Sequence, residues 1–111
     1  MKLRNWTSAV ATIALGACVS ATLPLVDDSD VERAQLLFPD TTRERLESGR
    51  QTFLQRCGAC HEPYQPAGRN PHQWEQAVAK MSERAGLAGE RQALVLEYLI
   101  TFASLRQPTA E

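Results

Sequence analysis

Cys57, Cys60 and His61 form C-x-x-C-H inside the stretch RCGACHEP, residues 56 to 63. Two thiols three residues apart can exchange a disulfide, supply half of a zinc site, or bind a haem through two thioethers. A thioredoxin-like redox pair sits within a βαβ pattern, at a helix start that follows a strand. Here a helical pattern leads into Cys57, and no alternating strand pattern occurs along the chain. A structural zinc ion wants four ligands. Once Cys18 is assigned elsewhere, only Cys57, Cys60, His61 and His72 remain, without the paired spacing of common zinc modules. Covalent haem explains every member of the motif: the thiols add to the two vinyl groups, and the adjacent imidazole becomes an axial iron ligand. One haem c is therefore expected on Cys57, Cys60 and His61, with a zinc site or structural disulfide as the alternative.

An electron-carrying iron works best with both axial positions filled, which limits rearrangement on oxidation and keeps small molecules off the metal. Met81 lies 20 residues after His61, on a helical stripe with Trp74, Val78 and Ala85. His72 precedes Met81 by nine residues, and nine steps of about 100° come to half a turn. His72 should then face water and Met81 the iron. A methionine on an apolar stripe also serves as ordinary core filler, and a vacant or water-bound position is the remaining alternative.

Three helices must position these groups. The first is expected from Thr41, with Glu44 three residues on as a capping box, to about Cys57, with Leu46, Gly49, Phe53 and Cys57 on one face. The second opens with Asn70 as N-cap and Pro71 as the first helical residue, and Gly86 stops it after Ala85. The third runs from near Gly89 to about Ser104, dense enough in apolar residues to be buried on most sides. The domain so defined, residues 41–106, holds 66 residues, a core small enough to need an insert. Residues 107–111 form a short tail.

The N-terminus carries an address. Lys2 and Arg4 precede TSAVATIALGA, an 11-residue run shorter than the roughly 20 residues needed to span a bilayer. Leu15-Gly16-Ala17-Cys18 resembles a bacterial lipobox, which implies removal of residues 1–17 and lipidation of Cys18. Several acyl chains would hold the protein on the periplasmic side of a membrane, where one would not. This assignment also explains the odd cysteine count: one anchor plus one pair. Export with cleavage after Ala21, giving a soluble periplasmic protein, is the alternative. Residues 18–40 read as a tether with at most one helical turn near Val31 to Leu37, and their acidic cluster as solvated. Loss of Lys2 and Arg4 leaves ten basic against 13 acidic residues, which speaks against nucleic acid as a partner.

Gly49-x-x-x-Phe53 ahead of Cys57-Gly58-Ala59-Cys60-His61, together with Glu97-Tyr98-Leu99 in the last helix, resembles the small class I-like monohaem c-type cytochromes over most of residues 45–103. The resemblance implies an all-α fold of three main helices wrapped around a covalently bound haem, with the first and last helices crossing closely at Gly49. It also implies Met81 as distal ligand, since W-x-x-x-V-x-x-M resembles the distal helix of short members, and a proline carbonyl, from Pro63, Pro66 or Pro71, orienting the proximal imidazole. Phe53, Tyr64, Trp74, Leu87, Leu94 and Tyr98 are candidate haem walls. Arg69 is a candidate propionate partner or a solvated loop residue. The expected function is single-electron transfer between protein redox partners, with no small-molecule substrate and no catalysis by the chain. The alternatives are an electron-accepting subunit of a periplasmic oxidoreductase and a haem sensor with an open distal site.

Overall fold

The structure, a computed structural model, describes residues 22–58 and 64–103. Among these the chain forms four α-helices and one 3-10 turn, with no strand: α1 (Asp28–Gln35), α2 (Arg43–Cys57), the turn Pro66–Gly68, α3 (Pro71–Ala85) and α4 (Glu90–Phe102). The all-helical expectation therefore holds, with one helix more than expected. Cys18, Cys60, His61 and Pro63 lie outside the described residues, as do residues 1–17 and 107–111.

The centre of the fold is the crossing of α2 and α4. Leu46, Gly49 and Phe53 on α2 are buried at helical spacing, and Val95, Tyr98 and Leu99 on α4 are fully buried. A Cβ placed on Gly49 would stand 2.8 Å from the Leu94 carbonyl carbon, closer still to its oxygen, and 3.0 Å from Tyr98 Cβ. Glycine is therefore required by the approach of another backbone, which offsets its entropic cost of about 0.5–1 kcal/mol in a helix.

Polar groups fix the same crossing at its upper end. Arg45 donates from Nε to Glu97 Oε2 (3.1 Å) and from Nη2 to Glu97 Oε1 (2.8 Å), a two-point fork onto a carboxylate. It also pairs with Glu90 at the start of α4. Thr41 Oγ1 donates to Glu97 as well, at 2.9 Å. Thr41 is thus drawn toward α4, and the expected cap shifts by one residue: Thr42 caps α2 by accepting from the Arg45 N–H at 3.2 Å. The expected capping box with Glu44 is not formed, because its threonine is engaged across the crossing.

Helix α3 starts and stops as its sequence dictates. Asn70 and Gln73 make a reciprocal capping box, Pro71 takes the first helical position, and Gly86 ends the helix with φ 65°, a left-handed conformation suited to glycine. Gly89 caps α4, which ends at Phe102.

The largest difference from expectation is the N-terminal segment. Residues 22–38 are not a free tether but a hook that packs on α2 and α4. Leu23, Val26 and Ala34 are core residues. Arg50 donates to the carbonyls of Pro24 (3.2 Å) and Leu23 (3.3 Å), Tyr98 Oη donates to Pro24 (2.7 Å), and Arg43 donates to Val26 (2.7 Å). The acidic cluster is likewise used: Asp27 and Asp30 form a capping box at α1, Asp30 is buried and pairs with Arg33 at 2.8 Å, and Asp28 pairs with Arg43. The Ser29 hydroxyl, then the Asp30 N–H, hold the Asp27 carboxyl below its ordinary range.

Candidate functional site

Cys57 is the last residue of α2, one turn beyond the buried Phe53, so the α2–α4 crossing directly sets where the motif begins. From it opens a narrow cleft lined by Phe53, Cys57, Trp74, Val78, Met81, Leu87 and Val95, with Ala77 at its side. Every one of these side chains is apolar or carries only sulfur or an indole N–H as its polar atom. That indole is already satisfied: Trp74 Nε1 donates to the Pro66 carbonyl at 2.8 Å. The Trp74 ring meets Phe53 edge-on, with centroids 5.9 Å apart and planes at 86°.

Met81 and Cys57 line the same cleft from different helices, as the stripe on α3 requires. Trp74 and Val78 are buried and Ala85 half-buried, whereas Met81 stands at the mouth, 43% exposed. Ser82, which the stripe did not include, is buried beside Val78 and donates its hydroxyl back to the Val78 carbonyl. His72 points away, its side chain 75% exposed and near Glu75. The half-turn separation of His72 and Met81 is thus realised.

The candidate walls divide. Phe53, Trp74 and Leu87 line the cleft, while Leu94 is used against Gly49 and Tyr98 packs on Phe102 and the hook. Tyr64 is 55% exposed, with the Arg69 guanidinium 5.2 Å above its ring and equally 5.2 Å from the Trp74 ring. Arg69 is accordingly neither free in solvent nor committed to a carboxylate among the described residues. Pro66, a candidate for orienting an imidazole, accepts at its carbonyl from Trp74, while His61 lies outside the described residues. Val95 and Ala77 were missed as lining residues. Val95 could have been found from its place one turn before Tyr98 and Leu99, and Ala77 from its place one turn after Trp74.

The position of Cys57 also bears on the competing chemistries. Reactive thiolates gain from a helix N-terminus or a neighbouring cation. Cys57 closes a helix at its C-terminal end, and burial pushes its thiol above the ordinary value. Neither feature activates the thiol for disulfide exchange. Among the described residues no three of His, Cys, Asp and Glu gather as metal ligands. No described helix is long and apolar enough to cross a membrane. Comparisons with protein-family models, curated proteins and solved structures find no match to this chain.

Proposed function

We propose that the protein is a monohaem c-type cytochrome that passes single electrons between protein partners, held on the periplasmic side of a bacterial membrane by a lipid on Cys18. The observation that carries the reading is what lines the cleft: the first cysteine of C-x-x-C-H borders an apolar slot whose mouth holds the methionine named from sequence, and as that slot encloses only about 20 Å³, a haem would have to part its walls. Cys57 and Cys60 would hold the haem as thioethers, and His61 and Met81 would ligate its iron. When bound, haem supplies an iron centre that cycles between two oxidation states. The chain's own part is to exclude water through Phe53, Trp74, Val78, Leu87 and Val95, and to offer a neutral thioether at the cleft mouth.

The test is expression with cytochrome c maturation machinery, followed by a visible spectrum and intact mass under denaturing conditions. Covalently retained haem is expected, and replacing both Cys57 and Cys60 by serine should abolish it. A colourless chain from cells that mature a control cytochrome would sink the proposal.

A further inference from the structure

Residues 23–26 are stitched to the folded domain, which changes what an anchor at Cys18 can do. Leu23 is 2% exposed, and four side-chain hydrogen bonds from Arg50, Tyr98 and Arg43 hold the carbonyls of Leu23, Pro24 and Val26. Only Val19, Ser20, Ala21 and Thr22 separate Cys18 from this clamp. Covalent geometry limits the reach of those five chain steps to ~18 Å.

The hook carries three exposed leucines among its charged residues. Of the large hydrophobic side chains exposed among the described residues, Leu25 (76%), Leu36 (83%) and Leu37 (61%) all belong to the hook, at the two ends of α1. Isolated surface leucines are ordinary, but Leu25 follows Thr22, where an acylated chain would enter, by three residues, and Leu36 and Leu37 follow directly on the C-terminal end of α1. The same segment carries Asp27, Asp28, Asp30 and Glu32 against Arg33 alone. Attraction to anionic headgroups, which needs clustered Lys and Arg, is therefore not what would hold it.

We infer that the hook, residues 23–38, is the membrane-facing side of the domain: the short leash from Cys18 brings it to the bilayer surface, and Leu25, Leu36 and Leu37 make the apolar contact. This rests on lipidation of Cys18. The domain then rides close to the bilayer in a restricted orientation rather than swinging on a long tether, and its redox partners are those that meet it at the membrane surface.

The experiment uses the full, haem-loaded chain in phosphatidylcholine vesicles, spin-labelled at Leu36→Cys on the hook or at Lys80→Cys on α3. Both positions are exposed, so neither label disturbs the core. The Leu36 label should show a several-fold higher ratio of relaxation by oxygen to relaxation by an aqueous reagent than the Lys80 label. A long Gly/Ser insertion after Ser20 should collapse that difference. Intact mass reports the acyl groups separately. If the mass shows no lipid, the anchor assignment fails and the inference with it. If the lipid is present and the two labels are equally aqueous, or the insertion changes nothing, the inference alone is overturned.

Discussion

Gly49 on α2 and Leu94 on α4 meet backbone to backbone, with no room between them for a single added carbon. This contact brings α2 down onto α4 so that Phe53 and Cys57, on the same face, arrive together at the cleft. Gly49→Ala must therefore push the helices apart rather than merely crowd a side chain. A loss of about 2–4 kcal/mol is expected in urea unfolding, at or above the usual range for overpacking. Gly68→Ala is the control, because nothing lies within 4 Å of a Cβ there. It should change stability by no more than about 0.5 kcal/mol.

Leu23→Ala tests whether the N-terminal hook belongs to the domain. Leu23 is 2% exposed and sits in the same core as Leu46, Tyr98 and Leu99. Truncation of a buried leucine costs about 2–5 kcal/mol. A free tether would cost nothing. Chemical denaturation of the haem-loaded protein separates the two, and an unchanged midpoint would return residues 22–38 to the status of a linker.

What could be read from the sequence depended on how local the cause was. The ends of α3 were legible because Asn70, Pro71 and Gly86 act within their own turns. The need for Gly49 was legible only through a resemblance, since its cause is the backbone of Leu94, far along the chain. The hook was not legible. VSATLPLVDDSDVERAQ has no long apolar period, and its order comes from distant donors, Arg43, Arg50 and Tyr98, that satisfy its carbonyls. The cap of α2 was misplaced by one residue for the same reason: Glu97, more than 50 positions away, takes the Thr41 hydroxyl. Local chemistry named the cleft's two sulfur groups, Cys57 and Met81, whereas which apolar residues complete the wall depended on the helix crossing.

High pH should reveal the link between Tyr98 and the hook. Burial, only partly offset by Arg50, pushes the Tyr98 phenol up to about 12 from an ordinary 10. The folded state thus favours the neutral phenol, which donates to Pro24. Its contribution is complete below pH 10 and disappears as pH rises toward 12, because the unfolded chain ionises first. Melting temperature should fall across that window, and Tyr98→Phe should flatten the fall. The same variant should lose about 1 kcal/mol at neutral pH for the missing hydrogen bond.

If the protein is the cytochrome proposed, Met81 gives the most direct reading of the distal side, because its partial exposure separates ligation from packing. A buried methionine cannot be removed without a cavity, but one that is 43% exposed at a cleft mouth can. Met81→Ala should keep its helical circular dichroism, so a spectral change would report the iron rather than the fold. The oxidised protein should lose the weak far-red band of methionine ligation. The reduced protein should bind carbon monoxide rapidly where the parent does not, and the potential should fall, since methionine ligation raises it. His72→Ala should leave all three unchanged, as that imidazole points to solvent on the opposite side of α3. Rapid carbon monoxide binding by the parent itself would instead assign Met81 to packing at the cleft mouth and favour a sensor with an open distal position.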